Sequence, residues 1–320
     1  MKAIRVHAFG GPEVLKLEEI PAPKPTKGQV LINVRAIGVN PVDTYIRAGK
    51  YGPKDFPFTL GSDVAGTIEV LGEGSKRFKV GDRVYASRVS SGAYAEKAVA
   101  DESNVWILPE HVTFAQGTAL GVPYGTAYRA LHQRGRAIAG ETVLIHGASG
   151  SVGTAAVQFA KSYGCTVIGT AGSDKGRTLV LAQGAHHALD HHDANHLQKA
   201  MEITGGKGID LILEMLANVN LGKDLTVLAK NGRVVVIGSR GTVEIDPRDT
   251  MSREADIRGM TLNAATNADL NSIHAAIRAG LENRTLNPIV DKEMPLSGAA
   301  KAHIEVLEGE SHGKIALVPA

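Results

Sequence analysis

Thr142-Val-Leu-Ile-His-Gly-Ala-Ser-Gly-Ser-Val-Gly153 decides the fold of this chain. An apolar strand runs straight into glycines, and a helical pattern starts at Ser151. Glycines at such a turn let backbone N–H groups close on a pyrophosphate, and the helix N-terminus adds partial positive charge. Against a G-x-G-x-x-G template, Ala148 holds the first position and Gly150 and Gly153 the other two. The motif alone is weak; the strand before it, the helix after it and the units that follow give it context. The alternative, a glycine turn without a ligand, sits poorly with its place at the carboxyl end of a first parallel strand.

Working outward, the pattern alternates regularly. It predicts strand 142–148, helix 151–163, strand 166–171, helix 174–183, a short strand at 186–189, helix 193–203, strand 209–216, helix 218–229 and strand 232–238. Val143-Leu-Ile145, Leu211-Ile-Leu213 and Val234-Val-Val-Ile237 are continuously apolar, as strands covered on both faces are. Alternating units of this kind build a doubly wound parallel sheet, an α/β fold. Residues 125–134 read as a helix before it; a strand at Met260–Asn263 and a helix over 268–280 follow it.

The flanks are β-rich. Lys2–His7, Val30–Val39, Gly66–Val70, Arg83–Ser87 and Tyr94–Val99 alternate, broken by Gly10-Gly11-Pro12, Pro21-Ala-Pro-Lys-Pro25 and Gly72-Glu-Gly74. They predict an antiparallel barrel or sandwich. Short strands at 288–290, 294–296 and 314–318, with a helix at 297–308, return to it. The expected domains are 1–122 with 265–320, and 123–264 inserted between them.

Composition bounds the function. The 320 residues are 43% hydrophobic and 21% charged with net charge +2, ordinary for a globular protein and without a basic arm for nucleic acid. No apolar run is long enough to span a bilayer, and Met-Lys-Ala-Ile-Arg-Val has no signal core, so the expectation is cytoplasmic. A single cysteine, Cys165, excludes an intrachain disulfide and any site of several thiolates; it reads as an inert core thiol. His186, His187, His191 and His192 lack acidic or thiol partners at ligand spacing, so no metal is expected and a polar loop is the default.

The second strand ends Gly169-Thr-Ala-Gly-Ser-Asp-Lys-Gly-Arg177. Where NAD needs a carboxylate for its ribose, this stretch places Ser173 with Lys175 and Arg177 close behind, which favours NADPH. Asp174 is the counter-signal, or else the N-cap of the next helix; the two cations are otherwise an exposed helix face. The fifth strand ends Ile237-Gly-Ser-Arg240, a turn able to approach ribose or nicotinamide. Arg240 either reaches a phosphate or pairs with a surface carboxylate.

These residues make the whole chain resemble the medium-chain dehydrogenase/reductase superfamily, in its zinc-free quinone oxidoreductase branch of the zeta-crystallin type. The stretches that carry the resemblance are Phe9-Gly-Gly-Pro-Glu-Val-Leu15, Gly38-Val-Asn-Pro-Val-Asp-Thr-Tyr45, Gly61-Ser-Asp-Val-Ala-Gly66, Gly81-Asp-Arg-Val84, Tyr124-Gly-Thr-Ala-Tyr-Arg-Ala-Leu131, Glu214-Met-Leu-Ala-Asn218, Gly238-Ser-Arg-Gly241 and Asn287-Pro-Ile-Val290. The branch signature appears as Glu141, Leu144, Ala148-Ser-Gly150, Gln158 and Lys161, with Ser151 where the family usually has glycine. Alcohol dehydrogenases carry cysteine where this chain has Asn40, and His-Glu where it has Ser62-Asp63. Without those ligands no catalytic zinc is expected.

The resemblance implies a Rossmann-type domain inserted in a β-rich, GroES-like catalytic domain. It implies that NADPH reduces a quinone, with an enone or enal double bond as the rival acceptor. It places Tyr45 and Thr126 near the nicotinamide and Ser149, Gly150, Ser151 and Val152 at the pyrophosphate. Gly172, Ser173, Lys175 and His191 fall at the adenosine end. Asn218, Ile237, Gly238, Ser239, Arg240, Leu262 and Asn263 line the ribose and nicotinamide side, with Lys314 a weaker member. Asn40 and Tyr45 become catalytic candidates, as donors to the oxygen that gains charge, with Tyr45 also a proton source; the alternative is that both only shape the pocket. A homodimer or homotetramer joined near Gly241–Asp246 is implied, and AU-rich RNA binding is a family trait for which the chain shows no stacking platform.

Overall fold

The structure, a computed structural model, describes residues 1–310 and 312–319. The chain begins with β1 (Lys2–Val6), β2 (Lys16–Glu19), the long β3 (Gln29–Val39) and α1 (Pro41–Arg47). β4 (Phe58–Thr59), β5 (Asp63–Leu71), β6 (Arg83–Ala86), β7 (Lys97–Asp101), β8 (Val105–Ile107) and α2 (Phe114–Gly117) follow. β1 lies between β2 and β4 in one small sheet, and β3 pairs antiparallel with β5 and β7 in a larger one. Val30, Leu31 and Ile32 are buried in succession, so both faces of β3 are covered, which suits a central strand. The strand expected from Tyr94 starts at Lys97; before that the chain makes only an isolated bridge between Ala3 and Ala95.

Next come α3 (Val122–Tyr128), a π-helical turn (Arg129–Arg134), β9 (Thr142–Ile145), α4 (Ser151–Ser162), β10 (Thr166–Ala171), α5 (Asp174–Ala182) and β11 (His187–Asp190). The alternation continues through α6 (His196–Ile203), β12 (Ile209–Glu214), α7 (Ala217–Thr226), β13 (Leu228–Val236), α8 (Pro247–Met251), β14 (Asp256–Gly259) and α9 (Asn267–Glu282). Six strands lie in the order β11-β10-β9-β12-β13-β14, every neighbouring pair parallel. The order reverses between β9 and β12, the switch point at which such sheets bind ligands.

Three expectations change here. The strand expected at Met260–Asn263 is instead β14, followed by a 3-10 turn at Leu262–Ala264. Its residues, Asp256-Ile-Arg-Gly259, are mostly exposed, so no apolar run betrays it. β13 starts at Leu228, ahead of 232; a left-handed Asn231 (φ 61°) interrupts the pattern, and the register jumps from Leu228 to Arg233. Gly241–Asp246, where the resemblance implies a join between subunits along an edge strand, forms no strand; the Asp246 side chain instead accepts from Arg248 N to start α8.

β15 (Val290–Pro295), α10 (Ala299–Glu308) and β16 (Lys314–Val318) complete the chain, with β16 antiparallel to β3 and parallel to β15. The two compact units are Met1–Val122 with Pro288–Ala320, and Pro123–Asn287. The return therefore falls at 288, not at 265. α9 belongs to the nucleotide-type unit because its Asp269 pairs with Arg129 at 3.1 Å and its Ile273 packs toward Gly125. Asn287 is tied to α4 through Gln158, whose side chain donates to its carbonyl at 2.8 Å and accepts from its N–H at 3.0 Å.

Candidate nucleotide and active sites

In the nucleotide-type unit the chain leaves β9 at His146 and turns through Gly147 at φ 57°. Ala148 N donates to Thr170 O at 2.7 Å and Gly147 N to Thr170 Oγ1 at 3.2 Å, pinning the turn onto β10. Gly153 is required: a Cβ there would stand 2.4 Å from Gly147 O, so only glycine lets α4 pack on its own turn. Gly150 is the N-cap and brings no side chain to the helix end. The first N–H groups of α4, at Ser151 and Val152, therefore lack intrahelical acceptors. Ser151 Oγ is buried and has no hydrogen-bond partner. An orphaned hydroxyl beside open N–H groups, all donors, fits an anionic diphosphate.

At the end of β10, Ser173 rather than Asp174 is the N-cap of α5, its Oγ accepting from Gly176 N at 3.2 Å. Asp174 is exposed and paired with Arg177, which also reaches Asp190 at 3.0 Å. One guanidinium is thus shared by the two carboxylates near the strand end, and Lys175 stays exposed. A Cβ at Gly172 would lie 2.7 Å from His191 Nε2 and 2.6 Å from His192 Nε2, so the glycine lets both imidazoles close over the strand end. Burial and the neighbouring His192 push the His191 pKa down. His186 is structural, its Nδ1 accepting from Val167 N at 2.9 Å. Cys165 is buried, and burial pushes its thiol up to about 11.

Across the switch point, Asn218 Oδ1 accepts from Arg240 N at 2.8 Å and lies 3.5 Å from Ser239 Oγ. Ile237 N donates to Glu214 O at 2.8 Å, and a Cβ at Gly238 would stand 2.4 Å from Met215 O. Asn218 and residues 237–240 thereby form one surface. Thr126 is buried on α3, and Leu262 packs against the adjacent Gly125, while Asn263 is exposed.

Beneath this surface sits a cluster that sequence reasoning gave no role. His146, Glu214 and Asp224 are fully buried, with His146 Nε2 2.8 Å from Asp224 Oδ1 and 3.4 Å from Glu214 Oε2. Glu214 Oε1 accepts from Leu216 N and from Asn220 Nδ2. Glu214 Oε2 and Asp224 Oδ2 have no hydrogen-bond partner. One proton held by the carboxyl pair relieves both oxygens. Burial pushes Glu214 up to about 7, and Asp224 adds to the rise while His146 opposes it. Burial works against the charged form of His146, but Asp224 and Glu214 outweigh it and raise its pKa. A histidine leaving an apolar strand, and a glutamate closing another, were the available signals.

The other unit carries Asn40, Tyr45 and Lys314. Asn40 is the N-cap of α1 in a capping box with Asp43, whose Oδ2 accepts from Asn40 N at 2.9 Å. Tyr45 is half-buried on the same helix, with Lys50 Nζ 5.7 Å from its ring centre. Lys314 is buried, and its Nζ donates to Asn40 Oδ1 at 2.5 Å and to Val39 O at 3.0 Å. Asp63 accepts from Asn40 Nδ2 at 2.9 Å and from Val122 N at 3.1 Å. Burial raises Asp63 and lowers Lys314, each opposed by the other's charge. Asp43 is pushed up to about 7 by burial, against the pull of the Asn40 N–H and Lys314; its Oδ1 has no partner.

A buried chain continues from Asp43. Tyr94 OH donates to Asp43 Oδ2 at 3.2 Å, His303 Nε2 lies 2.9 Å from Tyr94 OH, and Arg47 Nη1 lies 3.0 Å from His303 Nδ1. Arg47 can only donate, so His303 accepts at Nδ1 and donates from Nε2. Burial and the Arg47 charge push His303 down to about 3, which keeps it neutral. Asp43, Tyr94 and His303 lie far apart in sequence, and no local pattern announces their meeting.

Residues 26–110 match the alcohol dehydrogenase GroES-like domain family, and residues 151–278 the zinc-binding dehydrogenase family. The chain is 51% identical to a quinone oxidoreductase of Homo sapiens, over 99% of its own length and 98% of that protein's. An Escherichia coli quinone oxidoreductase solved in complex with NADPH superposes with TM-score 0.92 at 28% identity, with 100% of each chain covered. A mycobacterial protein, also solved in complex with NADPH, gives TM-score 0.92 at 31% identity, again over 100% of both chains.

Proposed function

We propose, from the premise that this chain belongs to the quinone oxidoreductases of the medium-chain dehydrogenase/reductase superfamily, that it reduces quinones with NADPH. The observation that carries this reading is identity of 51% to the human enzyme along 99% of the chain. The turn after β9 supports it, since its open N–H groups and orphaned Ser151 hydroxyl suit a diphosphate.

When bound, NADPH supplies the reducing equivalents. The chain binds, orients and excludes water. In this reading Ser149, Gly150, Ser151 and Val152 hold the diphosphate. Gly172, Ser173, Lys175 and His191 take the adenosine end and its 2′-phosphate. Asn218, residues 237–240, Leu262, Asn263 and Thr126 line the ribose and nicotinamide. Tyr45 and Asn40 donate to the quinone oxygen that gains negative charge. Tyr45 is also placed to hand over a proton. Lys314, engaged with Asn40 and Val39, acts inside the fold rather than on the cofactor.

One matched family is described as zinc-binding, and the residues where β3 ends and β5 begins do not fit that metal. Asn40 and Ser62-Asp63 supply neither thiolate nor imidazole, and the Lys314 ammonium already occupies the oxygen side of Asn40.

The deciding assay follows NADPH oxidation with a panel of quinones and a panel of enones. Turnover confined to quinones supports the reading; turnover confined to enones overturns it. We also propose a homo-oligomer, on family likeness and on the exposed sheet edge at β14. Light scattering that reports a monomer at micromolar concentration would remove that part. No helix among the described residues is long and apolar enough to cross a membrane. With one buried cysteine, we place the protein in the cytoplasm, and recovery in the membrane pellet on fractionation would contradict this.

A further inference from the structure

Register brings three polar residues to one end of the large sheet. β16, β3 and β5 lie side by side, with Ile315 opposite Val39 and Gly38 opposite Asp63. Lys314 therefore meets Asn40, the residue after β3, and Asp63, the first residue of β5. The ammonium contacts Asn40 Oδ1 at 2.5 Å and Val39 O at 3.0 Å, and lies 3.9 Å from Asp63 Oδ2. Asp63 Oδ2 takes a hydrogen from Asn40 Nδ2 at 2.9 Å. The backbone keeps space for this pair: a Cβ on Gly38 would be 2.8 Å from Lys314 Cε, and one on Gly121 would be 2.3 Å from Asp63 Oδ1.

A buried ion pair stabilises a fold little over apolar residues of the same size. What it does here is decide which way a carboxamide faces. The two ends of an asparagine amide are nearly equal in shape but opposite in hydrogen bonding. A cation holds the oxygen end of Asn40 and an anion holds one hydrogen of the nitrogen end. The second Nδ2 hydrogen remains to be donated.

We infer that Lys314 and Asp63 are positioning residues for quinone reduction: together they lock the Asn40 carboxamide so that its remaining N–H meets the oxygen that gains charge. This rests on the place proposed above for Asn40. It assigns Lys314 a task distinct from cofactor binding.

The test is a coupling measurement in the full-length protein. Single substitutions leave one buried charge unpaired, so the variant is Lys314→Met with Asp63→Leu. It should fold and bind NADPH within about twofold of wild type, yet lose about a hundredfold or more in kcat, the scale of a lost oxyanion donor. Asn40→Ala in the wild-type background should cost a similar factor. Asn40→Ala added to the paired variant should cost almost nothing more, because the donor is already misdirected. Multiplied losses overturn the inference, as does wild-type kcat in the paired variant when Asn40→Ala alone is impaired. Wild-type kcat in Asn40→Ala removes Asn40 itself from the reaction, and the inference with it. If the paired variant fails to fold, nitrogen-15 NMR of the wild-type protein decides. The Asn40 Nδ2 signals, assigned by their loss in Asn40→Ala, should form one slowly exchanging set. Two interconverting sets would refute the lock.

Discussion

Ser151 opens α4 with a buried hydroxyl that has no hydrogen-bond partner in the fold. A hydrogen bond to a charged acceptor is worth about 1.5–3 kcal/mol. Ser151→Gly should therefore weaken NADPH binding about tenfold while leaving the affinity for 2′-AMP, which carries neither phosphate of the diphosphate, unchanged. Tighter binding of NADPH in a calorimetric titration would mean that the hydroxyl crowds the site. Lys175 makes a complementary case. With Arg177 held between Asp174 and Asp190, Lys175 is the cation left for a 2′-phosphate. Lys175→Ala should raise KM for NADPH about fivefold and leave NADH untouched; equal effects on both would remove it from coenzyme choice. Tyr45→Phe should lower kcat/KM about tenfold or more if the phenol gives up a proton, and an unchanged value would exclude it. The glycine turn is readable at this scale because its chemistry is local. The partnership of Lys314 with Asn40 is not: 274 residues separate them, and only strand register joins them.

At the scale of elements, the apolar strands and their helices were legible because burial on both faces leaves continuous runs in the sequence. β14 was not, since an exposed edge strand carries no such run. α9 was recognised as a helix but credited to the wrong domain. Periodicity reports which face is apolar and not what covers it; the Arg129–Asp269 pair and Ile273 beside Gly125 decide that. The start of α9 offers a test. Thr266 and Asp269 form a reciprocal capping box, with Thr266 Oγ1 accepting at 3.1 Å and Asp269 Oδ2 at 3.0 Å. Thr266→Ala should cost about 1 kcal/mol, read as a lower thermal midpoint. Since α9 packs on α3, coenzyme affinity should weaken with it; a midpoint shift without any change in affinity would separate α9 from the nucleotide site.

For the whole molecule, the buried acids set a pH dependence. Glu214 and Asp43 have folded-state values raised to about 7, and His146 is raised as well. A raised group adds stability that is complete below its unfolded value and fades as pH climbs through its folded one. All three act in the same direction; His303 and His191, both pushed down, act the opposite way but only below about pH 6.5, so the thermal midpoint should fall between about pH 6.5 and pH 8. Glu214→Gln keeps the shape, stays neutral and should flatten that decline; an unchanged slope would place the effect elsewhere. Asp224 and His146 face the substituted group directly, and His196 stands beyond His146 with ring centres 6.3 Å apart.

The chain's lone thiol has a bearing on how long the catalyst survives. Quinones are electrophiles that arylate thiolates by conjugate addition, so an enzyme that turns them over works in a corrosive medium. Cys165 is 2% exposed and remains protonated at neutral pH, with its pKa near 11. The native protein thus offers its own substrate no accessible thiolate to alkylate, and such adducts should form only on chains that have already lost their fold.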